Sequence, residues 1–373
     1  MLLESLSLTN FKNIPSASLE FSPKVNCLLG DNGAGKSNLL DALYFMSFCK
    51  SFSGLADSSL IMRGETFATL RGVYRRKGLD EELTAGLTAG RRKSFRRGGK
   101  EYRRLGEHIG AFPLVMLSPA DMNLVNGPSE ERRRFIDQII SQNDPRYLEA
   151  LVRYNQALDQ RNRMLREDRG TSDRALFEAV EMQMSMSGDY LTRCRRAHLG
   201  RLDGIFRRYY AAVSGAGEDV GIAYRSQMLD EGAASLSEMF DRFRHRDTLL
   251  RHTSAGPHRD DIEMTLDSMP VRRAASQGQT KTFTSALRFA QYELLRESLG
   301  LNPLLLLDDI FDKLDAGRVA RIMQLVASPS ASCFGQIFIT DTNRKHLDEI
   351  VADLPGADGS RLWNVNGGRF TLI

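Results

Sequence analysis

The chain has 373 residues, 42% hydrophobic and 26% charged, with 51 basic and 47 acidic side chains and a net charge of +4. That length suggests two or three domains with a sizeable core, and the composition excludes wholesale disorder, fibrous or solenoid repeats and, without an apolar run of about 18 residues, a membrane-spanning helix. Four cysteines (Cys27, Cys49, Cys194 and Cys333) at no metal-ligand spacing exclude a disulfide scaffold and point to a reducing, cytoplasmic compartment, and the opening MLLESLSLTNF does not read as a secretory signal.

Residues 2–29 read as strands. Leu6, Leu8, Phe11, Ile14, Leu19 and Phe21 alternate, and the run VNCLL at 25–29 fits a buried strand. At Gly30 the period turns helical, with Leu39, Leu40, Leu43, Tyr44 and Met46. Residues 55–117 read as further strands with a basic hairpin at 91–104 that turns at Gly98-Gly99, and 112–117 as another strand. The hairpin carries Arg91, Arg92, Lys93, Arg96, Arg97, Lys100, Arg103 and Arg104 against one acid, Glu101, with Phe95 among the bases. Such an excess can attract a polyanion; a solvated hairpin is the plainer reading.

Residues 145–212 carry apolar or small positions at helical spacing: Leu148, Leu151, Asn155, Leu158, Asn162 and Leu165, then Phe177, Val180, Met184, Ser187 and Leu191. They predict two long helices joined by a turn at 167–172 and packed along one seam, an arm on the order of 30–40 Å long. Its arginines, among them Arg153, Arg161, Arg163, Arg166, Arg193, Arg195 and Arg196, read as a solvated face. After residue 250 a compact pattern returns, with buried strands at 304–307 and 336–340 and loops at 214–219 and 353–360. The expected architecture is an α/β domain built from both ends of the chain, 1–140 and 251–373, interrupted by a helical, coiled-coil-like insertion at 141–250.

GDNGAGKS at 30–37 fits G-x-x-x-x-G-K-[ST], between a strand and a helix. Gly30, Asp31, Asn32, Gly33, Ala34 and Gly35 form a loop whose glycines let consecutive N–H groups point at phosphate oxygens. Lys36 adds charge at the β/γ-phosphates of ATP, and the Ser37 hydroxyl suits Mg²⁺. LLLLDDIFDKLD, 304–315, is an apolar strand ending in two acids. Such a strand lies beside the phosphate loop in P-loop enzymes; Asp308 then serves the metal and Asp309 orients or deprotonates water. ASQGQTKTF at 275–283 opens a helix, and Ser276, Gly278 and Gln279 resemble the S-x-G-Q signature of ABC-type ATPases. In that family the signature faces the γ-phosphate held by a second subunit. The HRD at 258–260 is no kinase catalytic loop, because the required Asn is Thr265 and no DFG follows.

Nearly end to end, the chain resembles the RecF family of bacterial recombination mediators, relatives of the SMC heads. The resemblance rests on NFKNI, GDNGAGKSNLLDALY, SPADMNLVNGPSEERRRFID (118–137), RYNQALDQRNRML (153–165), GPHRDD (256–261), SQGQ and LLLLDDIFDKLD. The chain departs from the family pattern at Ala120, at Pro128-Ser129 and at Asp312-Lys313. The motifs and the resemblance imply an α/β P-loop NTPase of ABC/SMC-head type with an inserted helical domain, ATP-dependent homodimerisation on DNA, slow DNA-dependent ATP hydrolysis, and recruitment to gapped DNA or single-strand/duplex junctions. It also implies cooperation with RecR and RecO in loading RecA, SOS induction, and no membrane partner. Two other readings share the motifs. One is the nucleotide-binding subunit of an ABC transporter, which the arm and basic hairpin fit poorly. The other is a DNA clamp that binds ATP without meaningful hydrolysis, a reading favoured by Asp309 standing where a longer glutamate is common.

Overall fold

The computed structural model describes residues 1–167, 174–215, 217–311, 315–327, 334–345, 347–348 and 359–373. The expected turn beyond Glu167, the Asp312-Lys313-Leu314 stretch, Cys333 and most of the 353–360 loop lie outside the described residues. The chain divides into two compact units. The first comprises Met1–Asp121, Ala212–Gly215 and Gln277–Ile373; the second comprises Met122–Ala211 and Ala216–Ser276.

The first unit begins with β1 (Leu2–Phe11), β2 (Ile14–Glu20), β3 (Val25–Leu29), α1 (Lys36–Phe48), β4 (Phe67–Arg76), β5 (Leu79–Thr88), β6 (Ser94–Arg97), β7 (Lys100–Glu101) and β8 (Leu114–Leu117). The second contains α2 (Met122–Asn126), α3 (Ser129–Asn143), α4 (Pro145–Glu167), most of α5 (Arg174–Ser214), β9 (Val220–Arg225), α6 (Gln227–Asp230), α7 (Leu236–Leu250), β10 (Asp261–Leu266), β11 (Met269–Pro270) and α8 (Val271–Ala274). The chain then returns to the first unit with α9 (Gln277–Leu299), β12 (Leu304–Asp308), α10 (Ala316–Ala327), β13 (Ile337–Asp341), β14 (Ser360–Asn366) and β15 (Arg369–Leu372).

Two sheets make the first unit, and their burial patterns explain why the sequence reads differently in each. One runs β2-β1-β4-β5-β6-β7 with antiparallel pairing. Its strands alternate, as in the eBeBeBiBei pattern of β4, because one face is solvated. The other runs β15-β14-β3-β13-β12-β8, parallel except for the β14–β15 hairpin. Its β8, β12 and β13 are buried at every residue, the continuous apolar signal of a strand covered on both faces. Helix α1 packs against β8, β12 and β13 as well as β4, so it is apolar nearly all round. The buried Gln336 stitches the sheets together: its Oε1 accepts from Leu3 N at 2.7 Å, and its Nε2 donates to Leu3 O and Ser22 O at 2.8 Å.

The second unit has its own antiparallel sheet, β11-β10-β9, which the sequence reading did not anticipate. The two long helices are present, but the expected seam on α4 is displaced. Tyr147, Tyr154, Ala157, Arg161 and Leu165 are buried, whereas Leu148, Leu151 and Leu158 are only half-buried and Asn155 is exposed. Arginine was expected outside; Arg161 is 0% exposed and Arg195 3%. Arg161 donates to Glu181 at 2.8 Å and to Asp247 at 2.7 Å, and stacks over Phe240 at 4.7 Å. Arg195 grips Asp137 with two bonds of 2.9 Å and reaches Pro257 O at 2.7 Å. Charge neutralised by acids from other helices lets a guanidinium occupy a core position, which no apolar periodicity reveals. The HRD motif belongs to this fastening. Tyr154 and His258 share a 2.7 Å bond, Arg133 donates to Asp260 O at 2.7 Å, and Arg132 grips Asp261 with bonds of 2.6 and 3.0 Å.

Candidate nucleotide site

Strand β3 delivers the chain into the loop at Gly30, and α1 begins at Lys36. Asp31, Asn32 and Gly33 are exposed at the loop tip; Ala34, Gly35 and Lys36 are buried. Two loop residues need to be glycine for distinct reasons. Gly35 caps α1 at φ 117°, a conformation that side chains disfavour, and a Cβ on Gly30 would lie 2.3 Å from the Val365 carbonyl oxygen. The Lys36 ammonium donates to Gly30 O at 2.7 Å and to Asp31 O at 3.2 Å, so it lies over the concave side of the loop.

In the sheet β13 intervenes between β3 and β12, so the acid-ending strand is not the immediate neighbour of the strand that feeds the loop. The acid nevertheless reaches the loop. Ser37 Oγ donates to Asp308 Oδ1 at 2.9 Å, and Thr340 Oγ1, from the end of β13, donates to the same oxygen at 2.7 Å. Burial pushes the Asp308 carboxyl above the usual aspartate range; the bonds from Thr340 and Ser37 and the charge of Lys36 oppose that push. The Ser37 hydroxyl and the Asp308 carboxylate form an oxygen-only donor pair, the chemistry Mg²⁺ prefers, so these residues fit that ion. Among the described residues no cluster of three or more His, Cys, Asp or Glu suits a softer metal.

Asp309 follows at φ 44°, a left-handed conformation uncommon for a side-chain-bearing residue, with its N–H donating to Thr340 Oγ1 at 3.0 Å. Such backbone conformations gather at functional sites. Thr340 therefore fixes both acids, and sequence reasoning missed it; the signal was a hydroxyl closing the buried run IFIT. Asn13 was missed as well. It sits between β1 and β2, accepts from Asn38 Nδ2 at 2.8 Å and approaches Gly33 O at 3.4 Å.

The signature residues are held by other contacts. Ser276 is exposed and ends the second unit; Gly278 and Gln279 lie in the first turn of α9, half-buried. The Arg318 guanidinium lies close enough to Gly278 that a Cβ there would come within 2.7 Å, and it pairs with Asp315 at 3.2 Å. Further along α9, Arg288 pairs with Asp121 at 2.6 Å, while Asp121 Oδ2 accepts from Ser118 N at 2.9 Å. The segment after β8 is thereby tied to the signature helix.

The basic hairpin forms with its turn at Gly98-Gly99, but Phe95 is core, 1% exposed and 5.3 Å from the Phe45 ring. It offers no aromatic surface to a ligand. Lys93 is engaged by Asp57 at 3.0 Å and Arg97 by Glu81 at 2.6 Å. Arg91, Arg92, Arg96, Lys100, Arg103 and Arg104 are exposed.

Residues 2–354 match the RecF/RecN/SMC N terminal domain family. A DNA replication and repair protein RecF from Parabacteroides distasonis is 47% identical over 351 residues, 94% of each chain. A solved structure of the recombination mediator protein RecF-ATP in the RecFOR pathway aligns over 100% of this chain and 97% of its own, with a TM-score of 0.87 and 26% identity. An SMC head bound to the C-winged helix domain of ScpA shares the fold, with a TM-score of 0.59 at 17% identity over 100% of this chain and 97% of its own.

Proposed function

The chain therefore belongs to the RecF family, within the RecF/RecN/SMC N-terminal domain family, and from that premise we propose that it is an ATP-dependent DNA-binding protein of recombinational repair and replication restart. The observation that carries the reading is the 2.9 Å bond from Ser37 Oγ to Asp308 Oδ1, which joins the phosphate loop to the acid of β12. The loop amides and Lys36 hold the β/γ-phosphates of ATP, and Ser37 and Asp308 hold Mg²⁺. When bound, Mg²⁺ supplies charge neutralisation on the phosphate oxygens. Asp309 orients the attacking water and takes its proton. Ser276, Gly278 and Gln279, at the start of α9, serve the γ-phosphate held by a second copy, because the N-terminus of α9 favours an anion. ATP then closes a homodimer on gapped DNA or single-strand/duplex junctions, and slow hydrolysis resets it. The RecFOR pathway in which that RecF relative is placed supports RecR and RecO as partners; RecA loading and SOS induction rest on the family resemblance alone.

The test is ATP turnover with and without duplex DNA for the parent, Lys36→Ala and Asp309→Asn. We expect slow turnover that DNA raises, no ATP binding by Lys36→Ala, and ATP binding with turnover reduced about 100-fold in Asp309→Asn, the scale of losing a general base. A parent that binds no ATP would overturn the reading. ATP-held dimers without turnover would favour the clamp.

A further inference from the structure

We propose that Gly368, in the turn between β14 and β15, is a positioning residue for the phosphate loop, keeping a loop carbonyl turned away from the bound anion. This inference rests on the nucleotide reading above. A loop that offers N–H groups to phosphate also carries carbonyl oxygens, whose partial negative charge would repel the same anion. A donor elsewhere that engages such a carbonyl keeps it turned from the anion. Gly30 O and Asp31 O take the Lys36 ammonium, and Asp31 O also accepts from Ala34 N at 3.1 Å. Gly35 O accepts from Leu39 N at 3.1 Å inside α1. Gly33 O faces Asn13 Nδ2 at 3.4 Å. Ala34 O accepts from Gly368 N at 2.8 Å. Donors from residues 13 and 368, remote from the loop in sequence, thus serve the carbonyls of Gly33 and Ala34.

Only glycine fits at position 368. Its φ is +76°, and a Cβ there would lie 2.0 Å from Asn13 O and 3.2 Å from Ile14 Cα. Both are backbone atoms where the β1–β2 turn enters β2, which cannot swing aside as a side-chain tip does. A side chain at 368 must push the hairpin off the loop and withdraw its N–H from Ala34 O. Gly35 closes the same contact, because a Cβ on it would sit 3.3 Å from Gly368 Cα. The neighbouring Gly367 is a natural control: it also has positive φ, +54°, but a Cβ on it would meet nothing within 4 Å.

The experiment measures ATP affinity by calorimetry and steady-state turnover on the full chain, well below the melting temperature of each variant. Gly368→Ala is expected to raise the Kd for ATP at least tenfold, with turnover at saturating ATP kept within about threefold. Gly367→Ala, which carries the backbone strain without the clash, is expected to stay within about twofold in Kd. A purely structural defect would reduce the folded fraction and leave the Kd of the folded molecules unchanged. Equal weakening in both variants, or a folded Gly368→Ala with the parent's Kd, overturns the inference. If Gly368→Ala does not fold, Asn13→Ala decides: it removes the donor near Gly33 O without adding bulk and is expected to weaken ATP severalfold. An unchanged Kd in that variant overturns the carbonyl account. A parent that binds no ATP overturns the nucleotide reading itself, a different outcome from any of these.

Discussion

The two units solve the problem of a stable interior in opposite ways. Around α1 the first unit packs Phe11, Phe45, Phe95 and Phe112, each at most 1% exposed, between two sheets. The second unit places Arg161 and Arg195 at its centre and surrounds them with Glu181, Asp247 and Asp137. An apolar interior sums many small gains and tolerates a change of shape. A buried ion network acts as a unit, because removing one member leaves the others charged and desolvated. The first arrangement frees the backbone loops at the strand ends to hold a ligand; the second makes a helical scaffold whose register is fixed by a few bonds.

The sharpest way to break the comparison is one substitution in each unit. Arg161→Met strands the fully buried Asp247, while Arg244 still pairs with Glu181 at 3.0 Å, and should cost about 3–5 kcal/mol. Phe95→Leu keeps an apolar side chain in the core and should cost about 1–2 kcal/mol. Urea denaturation followed by circular dichroism checks both, and ATP affinity in dilute urea should survive Arg161→Met longer than the helical signal does. Equal costs would erase the distinction.

Acid should blur the comparison, because among the described residues His108 is buried in the first unit and His258 is half-buried in the second, each held neutral. Burial pulls His108 and His258 down to about 4; for His258 the charges of Arg259 and Arg133 add to the push and its bond to Thr253 O opposes it. With the folded value below the unfolded one, near 6.5, this stability is complete above about pH 6.5 and is lost as pH falls through the window towards 4. Each histidine should cost about 2 kcal/mol at pH 5. Melting temperatures at pH 7 and 5 for His108→Gln and His258→Gln check this: each variant should flatten the pH dependence by a similar amount.

The smallest effect concerns the surface. Arg96 and Arg103 are exposed, Arg96 with a long 3.8 Å pairing to the exposed Glu101, whereas Arg97 is held by Glu81 at 2.6 Å. If the hairpin touches DNA phosphates, Arg96→Ala with Arg103→Ala should lower the salt slope of DNA binding by about two units. An unchanged slope moves the contact elsewhere.

Legibility from sequence followed the same divide. The glycine-rich loop between β3 and α1, the acids closing β12, the buried strands and the Gly98-Gly99 hairpin were legible as local structure, because glycine spacing and apolar runs report local backbone needs. Arg161 and Arg195 were misread as surface because their partners lie on other elements: Asp247 is 86 positions from Arg161, and Asp137 is 58 from Arg195. Thr340 and Gly368 were invisible for the same reason, since each matters through a residue distant in sequence. Phe95 misled because charged neighbours in a strand point to the opposite face.

Helix α5 spans 41 residues, and its last turn belongs to the first unit, where Arg321 donates to Ser214 O at 3.1 Å. Each residue of a helix advances it by about 1.5 Å and turns it by about 100°. Deleting one residue between Glu181 and Arg195 would therefore rotate one against the other by more than a quarter turn, unseating Arg161 from Glu181 or Arg195 from Asp137. In terms of inheritance, this stretch should tolerate many substitutions on its exposed side yet reject single-residue insertions and deletions, so its length should be more constant among descendants than its letters.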